Sequence, residues 1–244
     1  MTGPLLHLIQ YDVDQEHENA FDRWYNIHIL NVLQFPGYGW SSRYVSLEGG
    51  TEGPSIRCLT LYIVEDRSAF NMVLAPTQEQ RPKTLVEDQE NFETIRGAHY
   101  IHSSVYEHVS GSHLGKPLLM GNRPLLLLMT DVHPGSEMEW ARLSATEEIP
   151  VLLRDPWVRV VGRFRAIEGV LPPWLVQGPR HLTLCELSGE DATHAMYAPE
   201  RMSPPLKGLV TSPGYVSSGP IIQRRFRYFY KPISQHWSYK KVTD

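Results

Sequence analysis

A long internal echo constrains this chain more than any single motif. Pro4-Leu5-Leu6 opens an apolar run, and Pro124-Leu125-Leu126 opens another 120 residues on. At the same shift Phe35-Pro36-Gly37-Tyr38 is answered by Asp155-Pro156-Trp157-Val158, and Ser42-Arg43-Tyr44 by Gly162-Arg163-Phe164. After a three-residue insertion, Arg57-Cys58-Leu59-Thr60-Leu61 returns as Arg180-His181-Leu182-Thr183-Leu184, and Ala75-Pro76 as Ala198-Pro199. A unit this long, met only twice, is not a solenoid, whose repeats are short and many. It points to two copies of one small fold facing each other across a pseudo-twofold axis. Where the copies diverge chemically, one has kept what the other lost.

The elements follow from periodicity and punctuation. Residues 5–13 are dense enough in apolar side chains for a strand. Asp14 can cap a helix whose first turn holds Glu16 and Glu18, and Phe21, Trp24, Tyr25, His28 and Val32 recur at helical spacing. Pro36-Gly37 ends that helix, Trp40 to Leu47 and Ile56 to Val64 read as strands, and Ser68 to Leu74 as a short helix. Residues 78–98 are polar, irregular or helical, and His102 to Val109 is the last strand of the copy. The order β-α-β-β-α-β is the ferredoxin-like motif. The second copy repeats it, with strands near 124–132, 158–168, 180–187 and 221–230 and helices near 136–149 and 190–197. The expected fold is therefore α+β: two ferredoxin-like units in tandem, forming a pseudo-dimeric barrel. Residues 1–110 make the first unit and 120–233 the second, with Ser110 to Gly115 as linker and 234–244 as a tail able to wrap the partner half.

A ferredoxin-like sheet carries helices on one face only, so its other face needs a partner. Leu59, Leu61 and Ile63 form a uniformly apolar face, read as the one under helices. Cys58, Thr60 and Tyr62 form a mixed face, read as lining the barrel. On the same reading His7, Tyr11, His102, Ser104 and Tyr106 converge with them on one cavity, or else form an ordinary polar barrel seam.

Composition narrows the function. The chain has 244 residues, room for two domains of about 110. With 23 basic against 27 acidic residues and a net charge of −4, it shows no footprint for nucleic acid. Its two cysteines, Cys58 and Cys185, lie in apolar runs and fit a reducing compartment rather than a disulfide framework. No basic leader precedes the first strand and no stretch approaches about 18 apolar residues. The expected setting is cytoplasmic, away from membranes. The eleven histidines are dispersed and no Cys-x-x-Cys occurs, so no metal site is expected.

The run Phe21-Asp22-Arg23-Trp24-Tyr25-Asn26-Ile27-His28, then Phe35-Pro36-Gly37-Tyr38, then Arg43-Tyr44, resembles the dimeric α+β barrel superfamily and, within it, the EthD-like proteins. The motif spans about residues 18–45, and the likeness of fold about 4–232. The resemblance implies a small-molecule site and one of several activities: lactone isomerisation, polyketide cyclisation, dehydration or cofactor-free oxygenation. In distant branches it implies haem chemistry. Those branches ligate iron through a histidine on a helix of the second unit, where His194 stands. Opposite Trp24, Tyr25 and His28 the second copy has Ser144, Ala145 and Glu148, so any chemistry of that helix belongs to the first.

The expected activity is cofactor-independent acid–base chemistry on a small aromatic or polyketide-like molecule, by an isomerase, cyclase, dehydratase or lyase. Imidazole titrates between about pH 5 and 8, so His28 is the candidate base or acid; otherwise it is a semi-buried histidine on a carbonyl. Tyr25, Tyr11 and His7 are candidate donors to a developing enolate oxygen. Trp24, Tyr38 and Tyr44 supply aromatic walls, with Cys58, Tyr62 and His102 also in contact with substrate. Arg43 could bind a carboxylate or enolate, although its echo as Arg163 favours a structural ion pair. The alternatives are a haem-dependent dehydratase or peroxidase on His194, and a non-catalytic binding protein. The duplication already supplies a pseudo-dimer, so the chain is expected as a monomer or a homodimer.

Overall fold

The computed structural model describes residues 3–47, 56–73, 97–115, 118–119, 122–169, 176–189, 191, 221–233 and 237–238. In the first half the elements run β1 (Leu5–Val13), α1 (Glu18–Val32), β2 (Tyr38–Ser46), β3 (Cys58–Val64), α2 (Arg67–Val73) and β4 (Ala98–Gly111). Two short strands follow, β5 (Leu114–Gly115) and β6 (Leu118–Leu119). The second half contains β7 (Leu125–Val132), a helix over 137–154, β8 (Val158–Ala166), β9 (His181–Leu187) and β10 (Ile222–Pro232), then β11 (Trp237–Ser238). The expected segments 78–96 and 192–197 lie outside the described residues.

The long strands form one antiparallel sheet in the order β10-β7-β9-β8-β4-β1-β3-β2-β11, and β10 also pairs with β2. That extra pairing closes the sheet into a ring. Within each half the order is the ferredoxin one, β4-β1-β3-β2 and β10-β7-β9-β8. The fold is thus α+β, two ferredoxin-like units completing one barrel. The register agrees in detail between the halves. Arg43 stands opposite Thr60 and Arg163 opposite Thr183, and β2 and β8 each carry an irregularity, at Tyr38/Trp40 and Val158/Val160. In β7 the echo slips by one residue. His7 pairs with Tyr62 while Leu126 pairs with Cys185, so His7 matches Leu126 and not Leu127.

The two faces of the sheet are the reverse of the sequence expectation. Leu59 and Leu61 face the barrel interior, in one core with Leu6, Leu8, Leu127, Phe164 and Leu184. Cys58 and Tyr62 face α1, packed with Tyr11, Phe21, Tyr25 and Ile29. Both faces are covered, so alternation separates them but does not say which lies inside. The apolar set goes inside because the barrel interior is shared by both halves and is filled from all sides. The expected linker takes part in this core. Ser110 and Gly111 extend β4, and Leu114, Leu118 and Leu119 are buried within the barrel cluster, where the Leu119 amide donates to the buried Glu186 carboxylate.

Two helix details also depart from expectation. The N-cap of α1 is His17, without a side-chain cap bond, while Asp14 sits in the preceding turn and receives the His17 amide at 2.9 Å. The helix of the second half runs past 149 in three pieces: α3 (Glu137–Leu143), a π turn (Ser144–Glu148) and α4 (Ile149–Arg154). Pro150 has no N–H to continue the α ladder, and the Ile149 N–H reaches back five residues to the Ser144 carbonyl. That extra residue turns both Ser144 and Glu148 inward, where they are buried. A third core lies under this helix, with Leu126, Leu128, Leu152, Cys185 and Phe229. No described helix is long and apolar enough to cross a membrane.

The Pro36-Gly37 turn joins α1 to β2 in a conformation that requires glycine. Gly37 has φ +90°, its carbonyl accepts from the Glu65 N–H at 2.7 Å, and a Cβ there would fall 2.2 Å from that of Ala69. Gly37→Ala is expected to lower stability by about 2–4 kcal/mol, the sum of a left-handed penalty and a backbone-level clash. Urea unfolding followed by circular dichroism would show this, and an unchanged midpoint would contradict it.

Candidate functional site

The site is built on α1. Phe21, Tyr25, Ile29 and Val32 repeat every three or four residues and form its buried stripe, with Trp24 and His28 half-buried beside them. The indole of Trp24 stacks on His28, ring centres 4.8 Å apart, and the Tyr25 ring lies 5.5 Å from the same imidazole. Beneath the helix, β1 and β3 raise Tyr11 and Tyr62, the former packed 5.3 Å from both Phe21 and Tyr25. Tyr38, from the start of β2, meets Tyr62 edge-on at 5.8 Å.

Three phenols converge here around one threonine. The Tyr11 hydroxyl lies 3.3 Å from Thr60 Oγ1, and Thr60 also favours ionisation of the Tyr25 phenol. Tyr25 and Tyr62 are close enough to influence each other's ionisation. Burial pushes all three phenols up from their ordinary value, for Tyr11 and Tyr62 well above it; at Tyr25, Thr60 and the Arg43 charge oppose part of the rise. They are therefore hydrogen-bond donors at neutral pH and not bases.

Arg43 fastens the helix to the sheet. Its side chain is 2% exposed, donates from Nη2 to Asp22 Oδ1 at 2.5 Å and from Nη1 to Asn26 Oδ1 at 3.0 Å, and lies 4.9 Å from the Tyr25 ring centre. Burial opposes its charge, but Tyr11 and Asp22 outweigh that and keep the guanidinium ionised. Two of its donors are already taken, so Arg43 presents a fixed charge behind the phenols rather than an open fork for a carboxylate. Asp22 and Asn26 were not among the expected site residues. Their signal is the i, i+4 spacing that brackets Tyr25 on the helix.

His7 and Cys58 complete this face. His7 Nε2 lies 3.0 Å from Ser103 Oγ, another residue outside the expectation, and its ring packs against Tyr62 and Phe70. Burial lowers its pKa to about 3, so it is neutral and a poor proton acceptor. Burial also raises the Cys58 thiol to about 11, against the pull of Arg43 and Arg57, and the sulfur stays protonated.

Tyr44 and His102 are not brought to this cluster. Tyr44 stands opposite Leu59 on the barrel side, and His102 opposite Gln10, as do Ser104 and Tyr106 by alternation. Buried near Gly178, with Arg224 also acting on it, His102 has its pKa lowered to about 4, chiefly by desolvation. The structure brings together His28, Tyr25, Tyr11, His7, Trp24, Tyr38, Arg43, Cys58 and Tyr62, all on the helix side of the first half.

The corresponding space in the second half is differently furnished. Glu148 accepts from Thr183 Oγ1 at 2.6 Å and Ser144 Oγ at 3.1 Å and pairs with the buried Arg225, over which Trp140 lies at 5.2 Å. The helix over 137–154 contains no histidine, and its inward carboxylate is committed to Arg225, so these residues do not fit a haem iron. His194 lies outside the described residues. Among the described residues no three His, Cys, Asp or Glu side chains gather as metal ligands.

No family model matches the chain, and no curated protein matches it in sequence. Solved structures do share its fold. A candidate monooxygenase from Fusobacterium nucleatum matches with a TM-score of 0.58 at 11% identity, over 99% of each chain. An anthrone oxidase-like protein gives 0.59 at 13% identity, over 96% of this chain and 92% of its own. A candidate chlorite dismutase gives 0.51 at 13% identity, over 96% of each. At such identities the likeness concerns the fold alone, the α+β barrel.

His7 links this face to stability. Its folded pKa of about 3 lies below the unfolded value of 6.5, so the unfolded chain binds more protons between those values. Its contribution is intact above pH 6.5 and is lost as the pH falls, by about 2 kcal/mol at pH 5. His7→Leu, which installs the residue type of Leu126, is expected to flatten the pH dependence of urea unfolding between pH 7 and 5 by about that amount. An undiminished slope would show that His7 is not the group responsible.

Proposed function

We propose that the chain is a cofactor-independent, EthD-like enzyme that moves a proton on a small aromatic or polyketide-like molecule, using the space between α1 and the sheet of the first half. The observation that carries this reading is the cluster of neutral phenols, Tyr11, Tyr25 and Tyr62, set around Thr60 with the Arg43 charge fixed behind them. Neutral donors backed by a cation favour an oxyanion as it develops, and need no rearrangement at the moment of reaction. In this reading His28, half-buried and stacked on Trp24, takes the proton. The aromatic lining suits a planar substrate.

The step runs as follows. His28 accepts a proton from an acidic C–H or enol of the substrate, leaving an enolate whose oxygen receives the Tyr25 hydroxyl and, through the same cluster, that of Tyr11. The imidazolium returns the proton at a second position. Isomerisation, cyclisation, dehydration and lyase cleavage all share this opening. The name of the anthrone oxidase-like neighbour points to the same substrate class.

Anthrone, whose central CH2 is acidified by its ketone, is a direct probe. In D2O the protein is expected to accelerate loss of that proton signal by NMR. His28→Ala should slow the exchange about 100-fold and Tyr25→Phe about tenfold. Full exchange activity in His28→Ala would remove the general-base role. Saturable binding of anthrone without any exchange would favour a binding protein instead. A purified protein with a Soret band would move the reading to haem.

A further inference from the structure

The halves place an arginine at the same point of the sheet but treat it differently. Arg43 has Asp22 above it; at the matching 120-residue shift the second half has Arg142, an exposed cation. Arg163 is 6% exposed; among the described residues its one hydrogen bond goes to the Ala141 carbonyl at 3.3 Å, and it meets no carboxylate. Three other cations of this half have ion-pair partners: Arg225 with Glu148, Arg180 with Glu137 and Glu168, and Arg165 with Glu107. A guanidinium held away from water without a counter-charge is an unfavourable arrangement that an anion would relieve.

Two more donors around it are unfilled. Trp140, 4% exposed and next in sequence to Ala141, has its indole N–H buried with no partner among the described residues. His181 has Nε2 in the same condition, and its ring lies 6.2 Å from that of Trp140. Burial and then the Arg163 charge lower its pKa to about 4, and in the β8–β9 ladder Arg163 stands opposite Thr183 while His181 stands opposite Arg165 on the same face. His181 is only half-buried, so the cluster communicates with solvent. Buried polar groups are ordinarily satisfied, and two donors left open on α3 and β9, beside an arginine on β8 that meets no carboxylate among the described residues, mark a place for a ligand.

We propose that the second half holds a binding site for a small carboxylate, in which the Arg163 guanidinium supplies the charge and the Trp140 indole N–H and the His181 imidazole add hydrogen bonds. An arginine fork matches the two carboxylate oxygens, and the aromatic faces of Trp140 and His181 favour an aromatic acid. The site is separate from α1, so it stands or falls independently of the proton-transfer reading.

Isothermal titration of the full chain with benzoate, with benzamide as the neutral isostere, tests it. Benzoate is expected to bind and benzamide not. Arg163→Gln should weaken benzoate at least about tenfold, and Trp140→Phe, which removes one N–H while keeping an aromatic ring, by about threefold to tenfold. Arg163→Lys should fall between wild type and Arg163→Gln, since it keeps the charge and loses the fork. If Arg163→Gln does not give a cooperative melt, Trp140→Phe and Arg163→Lys decide. Wild-type protein that binds neither benzoate nor acetate overturns the proposal. So does benzoate binding unchanged in these variants but lost in His28→Ala, which would put the anion in the first half.

Discussion

Closure of the sheet is the constraint on which the rest depends. With β4 paired to β8 and β10 to β2, the ring has no open edge between the halves, and its interior has to be filled by side chains from both. That interior is one core drawing leucines and aromatic rings from each half. Two polar groups inside it tie its strands together: Gln10 donates to the Tyr230 hydroxyl at 2.8 Å, and Glu186 takes the Leu119 amide. The Arg43 and Glu148 clusters lie instead on the outer face, under the helices. Each half carries its own helix-covered polar cluster.

The two spaces have been put to different uses by small changes in the covering helix. In the first half an uninterrupted α1 sets Asp22, Tyr25 and Asn26 over Arg43, so the sheet arginine is neutralised and a phenol lies against it. In the second, Pro150 and the π turn shift the helix by a residue and bring Glu148 down between Thr183 and Arg225. The carboxylate thus serves an arginine from β10, and among the described residues the one on β8 has no counter-charge. A replacement, Arg142 where the first half has Asp22, and a backbone adjustment together have exchanged which cation is paired.

The order of elements was legible because strands here are dense apolar runs between clear breaks. The run at 5–13 is β1 residue for residue, and Pro36-Gly37 does end α1. The inside of the barrel was not legible. Leu59 and Thr60 differ in polarity, but both are fully buried, so the alternation carries no sign. That ambiguity separates Tyr44 and His102 from the remaining candidates. The aromatic stripe Trp24-Tyr25-x-x-His28 was visible in the chain itself. The Arg43 clamp was not, since Asp22 and Asn26 take on meaning only once β2 is laid beneath them. Nor was the register slip at His7, because Leu126 and Leu127 look alike in the sequence.

The two seams of the ring are unequal. The β4–β8 seam joins five residue pairs, from Tyr106↔Ala166 to Gly111↔Gly162, and the chain passes directly from one of its strands toward the second half. The β10–β2 seam joins three, Tyr230↔Ser46, Lys231↔Val45 and Pro232↔Tyr44, one of them a proline that cannot donate. Beside it β11 adds Trp237↔Ser41 and Ser238↔Trp40. Fewer backbone bonds mean a lower free energy for local opening, so native fluctuations should begin there. The barrel then behaves as a cuff, hinged along β4–β8 and latched where β10 and β11 meet β2. Whatever holds or releases that latch governs how readily the shared core breathes.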